Sequence, residues 1–360
     1  MSATQGAASE AVEAWSEAVR DAAARGAPLR LVGGGTKDFY GHELVGEPFR
    51  TSAYAGIVDY DPTELVITVR CGTPIDDVER TLAGAGQMLG FEAPRFGTGT
   101  TVGGCVASGL SGPRRPYAGA VRDLILGVRL LDGRGEDLAF GGRVMKNVAG
   151  FDVTRLIAGS LGTLGIVLEV SLRCLPLPKV EATRVLELDP GPAIRRMNEW
   201  GGRPLPLSAT WYGDGKLYTR LSGADTAVAW AAREIGGTEL ADTASFWSSV
   251  RDQTHEFFAG AGSLWRLSVQ STAPHVELPG AQAIEWGGAL RWVRPSDGAD
   301  AERLRAWARD HGGHATLFRG DKSAGAFQPL EPPMLAIHRA LKATFDPAGI
   351  FNRRRMFADF

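Results

Sequence analysis

The sequence predicts an α+β protein with at least two parts, and three observations lead there. Strand-like and helix-like segments alternate through the first half of the chain, Leu175-Pro-Leu-Pro178 breaks that pattern, and strands and helices resume beyond it. A chain of 360 residues can bury a large core and is long enough for two domains.

Taken in order, Ser9–Arg25 reads as an N-capped amphipathic helix closed by Gly26 and Pro28. Leu29–Val32 reads as a short buried strand. Ile57–Tyr60 and Leu65–Arg70 follow as strands around the Asp61-Pro62 turn. Thr73 is placed to cap a helix over Pro74–Ala85, with Pro74 at its first position and Asp76-Asp77 in its first turn. Leu124–Leu131 is a buried strand, and Asp132-Gly133 a hairpin turn into Leu138–Phe140. Val153–Ala158 reads as a short helix and Ile166–Leu175 as a long strand. Past the proline break, strands are expected at Leu205–Trp211, Lys216–Leu221, Ser263–Val269 and Gly288–Val293. Helices are expected at Pro192–Trp200, Ala224–Ile235, Ala299–His311 and Pro333–Phe345, and the scattered tryptophans read as core.

Three glycine-rich stretches carry the chemistry. In the first, Gly33, Gly34 and Gly35 remove three side chains in succession after a strand, so backbone N–H groups can form an anion-accepting nest. Thr36 adds a hydroxyl and Lys37 a positive charge. From these residues alone a flexible glycine loop fits equally well. The order Thr36-Lys37-Asp38 is not a Walker loop, and Asp38 stands where a Rossmann fingerprint needs its last glycine. In the second stretch, Phe96–Gly112, glycines stand among small and hydroxyl-bearing residues, and each interior glycine would cost a helix about 1 kcal/mol relative to alanine. Val102, Cys105, Val106 and Leu110 argue against a solvent-exposed linker, so close approach of backbone to a flat or bulky ligand is the expectation. In the third, Gly162 and Gly165 stand where a strand begins, which again suits close approach to a planar group.

Other classes find less support. The net charge of -2 offers no basic surface for nucleic acid, and hydrophobic content of 44% is ordinary for a soluble protein. Cys71, Cys105 and Cys174 are scattered, which suggests reduced thiols in the cytoplasm and excludes a self-contained four-cysteine iron–sulfur cluster. The first ten residues lack a secretory pattern, and the apolar stretch Leu161–Leu175 contains Glu169 and Arg173. His311-x-x-His314 has no third ligand at a recognisable spacing, so no metal is expected. There is no Gly-x-Ser-x-Gly elbow, no histidine partner for Cys105, and no internal repeat.

Taken together, Val32–Lys37, Phe96–Arg115 and Lys146–Val167 resemble the FAD-binding domain of the vanillyl-alcohol oxidase/p-cresol methylhydroxylase (PCMH) type. The chain is more similar still to the E-subunit family of bacterial glycolate oxidases. Gly34-Gly-Thr-Lys-Asp-Phe-Tyr-Gly41, Ser111-Gly-Pro-Arg-Arg115 and Lys146-Asn-Val-Ala-Gly-Phe-Asp-Val-Thr-Arg155 carry that likeness, as do Gly313-His-Ala-Thr-Leu-Phe-Arg319 and Phe345-Asp-Pro-Ala-Gly-Ile-Phe-Asn352. The resemblance implies an α+β fold: a two-part PCMH-type FAD-binding domain over 1–178, an α+β cap domain over 179–327, and a helix and tail over 328–360 returning toward the FAD domain. It further implies that Gly33, Gly34, Gly35, Thr36 and Lys37 cradle the pyrophosphate, with Lys146 among the cofactor-binding residues. Gly97, Thr98, Thr101, Val102, Gly103, Gly104, Ser108, Ser111 and Arg114 would line the flavin and its ribityl-diphosphate. Gly162, Gly165, Ile166 and Val167 would present backbone to adenine and flavin. Gly35 and Thr36 stand where related flavoproteins often carry a linking histidine, so FAD is expected to be non-covalent.

The activity implied is that of an FAD-dependent oxidoreductase subunit converting glycolate to glyoxylate. Its partners would be a homologous FAD-containing catalytic subunit and an iron–sulfur subunit, in the cytoplasm or peripheral to the inner membrane through that complex. Alternatives are a free-standing, D-lactate-like 2-hydroxy-acid dehydrogenase and a flavin-free scaffold. The chain departs from the neighbouring hydroxy-acid dehydrogenases at two places. Their Gly-Asp-Gly-Asn-x-x-His cap motif is absent, and Asn352-Arg353-Arg354 replaces the usual Asn-Pro-Gly. Arg319 and Lys322 are the candidate cations for a substrate carboxylate, and no base is visible.

Overall fold

The computed structural model describes residues 3–142, 153–277, 279–296, 301–358 and 360, and among them the chain forms two main antiparallel sheets, of five and eight strands. It opens with helix α1 (Ala3–Arg25), which buries Val12, Val19 and Ala22 and sets Trp15 against Phe49 and Tyr54. The helix begins before Ser9, whose hydroxyl pairs with Glu13 instead of capping it. Strands β1 (Leu29–Val32) and β2 (Glu47–Arg50) then pair in parallel. Strands β3 (Ile57–Asp61) and β4 (Val66–Arg70) follow, with helix α2 (Ile75–Gly84) and the short strand β5 (Gln87–Met88). Thr73 does not cap α2. Its hydroxyl donates to the Arg70 carbonyl (2.7 Å) and accepts from the Gly56 N–H (2.9 Å), closing the turn before the helix.

The glycine run expected to stay non-helical contains helix α3 (Val102–Ser108). Its glycines are what let it form here: a Cβ on Gly103 would come within 2.8 Å of the Cys71 side chain. The Thr101 hydroxyl caps it by accepting from the Gly104 N–H (3.2 Å), and Gly109 ends it in the left-handed region at φ 65°. Single-turn helices α4 (Arg115–Ala118) and α5 (Val121–Leu124) lead into β6 (Ile125–Leu131), so Leu124 is helical rather than the first residue of the strand. β7 (Asp137–Gly141) returns through a loop held by the Asp132 carboxylate, which accepts from the Arg134 and Glu136 N–H groups. After α6 (Val153–Ile157), strand β8 (Ile166–Arg173) runs down the middle of the first sheet, whose order is β3-β4-β8-β6-β7. The expected long strand stops at Arg173; β9 (Leu175–Pro176) pairs separately with β5. Ile67, Val69, Leu130, Leu168 and Val170 fill the core between this sheet and its helices.

Beyond the prolines come β10 (Val180–Glu187), α7 (Pro190–Gly201), β11 (Leu207–Gly213), β12 (Lys216–Gly223), α8 (Asp225–Ile235), β13 (Thr238–Glu239) and α9 (Thr243–Asp252). Then come β14 (Leu264–Ser268), β15 (Gly280–Glu285), β16 (Leu290–Pro295), α10 (Ala301–Asp310) and β17 (His314–Arg319). The second sheet has the order β13-β10-β12-β11-β15-β16-β14-β17. Trp200, Trp211, Trp247, Trp265, Trp286 and Trp292 are core as expected, whereas Trp230 is exposed.

The chain ends in helix α11 (Pro332–Phe345) and a tail that returns to the start of the fold. The Leu29 N–H donates to the Ile350 carbonyl (2.8 Å) and the Asn352 N–H to the Leu29 carbonyl (2.9 Å), in a parallel bridge between Leu29 and Phe351. Lys342, buried in the last turn of α11, donates to the Thr163 and Phe351 carbonyls and to Asp346. No helix among the described residues is long and apolar enough to cross a membrane.

Candidate functional site

An open cleft lies between the β1–β2 pair and the first sheet. One wall is the loop Gly33–Asp38, which leaves the end of β1. The opposite wall combines Gly103, Gly104, Ala107 and Ser108 of α3 with Gly162, Gly165, Ile166 and Val167 at the entry to β8. Asn352 and Arg355, from the returning tail, close one side.

The glycine loop is built for two purposes. A Cβ on Gly34 would fall 1.8 Å from the Gly99 carbonyl oxygen, and one on Gly33 would fall 2.4 Å from the Thr101 hydroxyl. Those two glycines allow backbone to lie on backbone, bringing the first glycine stretch against the second. Gly35 is different. It has φ +71° and only the Asp38 carboxylate within van der Waals reach of a would-be Cβ, so it supplies the left-handed turn that lets the loop curve into the cleft. Thr36 is fixed through its hydroxyl to Thr100 (2.8 Å).

Lys37 is the charged group of this wall. Its Nζ is buried, has no hydrogen-bond partner, and lies 5.6 Å from the centre of the Phe96 ring. Burial lowers its pKa, because an ammonium without a counter-ion is costly in a low dielectric. An anion in the cleft removes that cost. The loop is clamped from behind by Arg355, whose guanidinium donates to the carbonyls of His42 (2.6 Å), Lys37 (3.2 Å) and Asp38 (2.7 Å). Asn352 joins the facing walls: its Oδ1 accepts from the Leu31 N–H (2.8 Å) and its Nδ2 donates to the Leu161 carbonyl (2.6 Å).

Twelve of the residues expected at the cofactor line this cleft: Gly33, Gly34, Gly35, Thr36, Lys37, Gly103, Gly104, Ser108, Gly162, Gly165, Ile166 and Val167. Others stand elsewhere. Gly97 and Thr98 are exposed on the loop that packs against Thr36. Thr101 serves as the cap of α3, and Val102 is core. The Ser111 hydroxyl accepts from the Val121 N–H (3.1 Å). Arg114 is engaged by two carboxylates, Glu92 at 3.3 Å and Glu181 at 2.5 Å, so its charge is already matched. Lys146 lies outside the described residues. Arg319 stacks over Phe39, Phe96 and Phe318, and Lys322 donates to the Leu317 and Phe318 carbonyls; neither lines the cleft.

Sequence reasoning missed Leu31, Thr51, Cys71, Leu161 and Arg355 as lining residues. Arg355 had a signal available in a basic cluster close after Asn352, but only the tail's path gives it a role. Cys71 is 2% exposed, and burial pushes its thiol up to about 12, so it is no nucleophile at neutral pH. The lining suits a dinucleotide: an unpaired cation and a left-handed turn at one end, and side-chain-poor backbone along the opposite wall.

Comparison with known proteins agrees with this chemistry. A family model described as "FAD binding domain" matches residues 7–141. The chain is 45% identical to glycolate oxidase subunit GlcE of Escherichia coli (strain K12), over 95% of its own length and 96% of that protein. Shorter likenesses include the mitochondrial D-lactate dehydrogenase [cytochrome] 1 of Saccharomyces cerevisiae (33% identity, 37% of this chain, 22% of that one) and glycolate oxidase subunit GlcD of Bacillus subtilis (33% identity, 35% and 27%). Among solved structures, an alkyldihydroxyacetonephosphate synthase shares the fold, with TM-score 0.63 and 15% identity over 94% of this chain and 74% of that one.

Proposed function

The chain belongs to the glycolate oxidase subunit GlcE family of FAD-binding proteins, and on that footing we propose that it is the FAD-binding subunit of a complex oxidising glycolate to glyoxylate. The observation that supports this most is the near-complete coverage of the GlcE relative together with the unpaired Lys37 ammonium in a glycine-walled cleft. FAD, when bound, supplies a two-electron acceptor. The chain's own part is to hold it. Lys37 would offset the charge of the diphosphate, Gly35 turns the loop into the cleft, and Gly103, Gly104, Gly162, Gly165, Ile166 and Val167 would offer it a wall poor in side chains. Asn352 and Arg355 keep the walls in register. Electrons leave through an iron–sulfur subunit, and a homologous flavin subunit completes the complex. The assembly works in the cytoplasm and reaches the inner membrane through its partners.

FAD is held without a covalent bond, because the lining includes no histidine and Cys71 stays protonated. Acid precipitation of the purified yellow protein therefore leaves its flavin in the supernatant; flavin pelleting with the protein refutes this. Glycolate-dependent dye reduction is expected from the reconstituted complex. A colourless chain that ignores added FAD, alone and with its partners, defeats the proposal.

A further inference from the structure

Helix α11 is apolar on the side it turns to water. Lys342 and Phe345 are buried against the body of the protein and Leu335 and Leu341 half-buried, whereas Pro333, Met334, Ala336, Ile337 and Ala340 are exposed. Met334, at 47%, and Ile337, at 54%, are the two most exposed large hydrophobic side chains among the described residues. A surface helix ordinarily keeps its apolar stripe for the core and turns its charges outward. In α11 the lysine points inward, donating to the Thr163 carbonyl at 2.7 Å, and Arg339 is the one charged side chain on the exposed side.

The charge around this face has one sign. A groove beside it is lined by Ala343, Pro347, Ala348 and Phe360 together with Arg339 and Arg353. From residue 332 to residue 358 every charged arginine, lysine or acidic side chain that is not buried is basic: Arg339, Arg353 and Arg354. Two copies of the chain meeting through this face about a two-fold axis bring like charges together, which disfavours a homodimer. A lipid surface is a poor match as well. Helices that lie in it present bulky apolar groups such as Trp, Phe and Leu, and here Ile337 stands among Ala336 and Ala340. An exposed apolar patch edged by arginines fits a protein surface with an apolar ridge flanked by carboxylates.

The position of the face selects among protein partners. Thr163, which holds Lys342, stands in the turn between Gly162 and Gly165, and both glycines line the flavin cleft. Helix α11 thus lies between that wall and the exposed face, and a helix with its side chains is about 10 Å thick. We infer that the outer face of α11 docks the electron-accepting iron–sulfur subunit, through an apolar helix or ridge flanked by Asp or Glu. Seated there, the acceptor is about one helix diameter from the wall of the flavin cleft, a separation that electrons cross by tunnelling. The existence of that subunit rests on the proposed function; the apolar face does not.

The full-length chain is titrated against the purified iron–sulfur subunit. Ile337→Glu sets a carboxylate in the apolar patch and is expected to weaken binding about tenfold or more. Arg339→Glu weakens it less and flattens its dependence on salt. Both residues are exposed, so both variants are expected to keep the wild-type melting temperature and flavin content. Unchanged binding by both folded variants overturns the inference, as does a wild-type chain with no affinity for the iron–sulfur subunit. Two other occupants also overturn it: a second copy, if the isolated chain sediments as a dimer that Ile337→Glu converts to a monomer, and a membrane, if phosphatidylglycerol vesicles bind the wild type but not Ile337→Glu. Flavin content and glycolate-dependent dye reduction by the reconstituted complex judge the proposed function on the same preparations. A yellow, active complex that ignores both substitutions refutes the docking face alone.

Discussion

Lys37 shows how one residue ties sequence to function. Its neighbours bury the ammonium and give it the Phe96 ring but no hydrogen-bond partner, so an anion entering the cleft adds to its stabilisation. Lys37→Met keeps the volume and removes the charge. A hydrogen bond to a charged group contributes about 1.5–3 kcal/mol, so the variant is expected to bind FAD about 10- to 100-fold more weakly, with a shallower dependence on salt. Fluorescence titration of the apoprotein checks both. Glu285 supports a prediction of the opposite kind. Its folded pKa, about 8, stands above the ordinary carboxylate value of 4.5, so the folded state holds a proton that the unfolded state has released. Stability contributed by that proton is intact at low pH and is lost as pH rises from about 4.5 through 8. Glu285→Gln carries no such proton, so its melting temperature should gain on the wild type across that window. Parallel melts at pH 5 and pH 8 decide it.

At the scale of elements, the glycine stretches were legible in the sequence, though one of their reasons was not. Bare backbone pointed correctly to close approach, and most of the residues marked for the cofactor do line one cleft. At Gly33 and Gly34, however, the close neighbour is the second glycine loop, and at Gly103 it is Cys71. No local pattern distinguishes a ligand from another part of the chain, because both require the same missing Cβ. Gly103→Val is accordingly expected to be destabilising by about 1–3 kcal/mol whether or not FAD is present, as overpacking generally is. Thermal melts with and without added FAD test this, and a loss confined to the FAD-bound state would contradict it. Helix α3 was missed because glycine's weak propensity for helix was outweighed by the Thr101 cap and by burial of Val102, Cys105 and Val106. Strands β10, β15 and β17 also escaped the hydrophobic pattern. Alternation is poor in β10, and β17 lies at the sheet edge.

Across the whole molecule, a set of charges ties the second sheet to the segments that follow β5 and precede α4. Glu92 pairs with Arg114 (3.3 Å) and Arg220 (2.8 Å), while Arg114 also reaches Glu181 on β10. The four come from widely separated stretches, so only the finished fold brings them together. Removing one member strands its partners: Glu92→Ala leaves two guanidiniums short of a carboxylate and is expected to cost about 3–5 kcal/mol, measurable by urea unfolding. Replacing Asn352 by alanine acts at a similar distance in sequence. It frees the Leu31 N–H and the Leu161 carbonyl on facing walls of the cleft, at about 1–3 kcal/mol for each group left buried and unpaired.

The meeting of Leu29 with Phe351 also has a temporal meaning. A ribosome makes the glycine loop some three hundred residues before the stretch that clamps it. While Asn352 and Arg355 are still inside the exit tunnel, the emerging polypeptide has only part of its nucleotide pocket. Cofactor loading therefore waits until that stretch has emerged, and a nascent chain stalled before those codons should take up no flavin however long it waits.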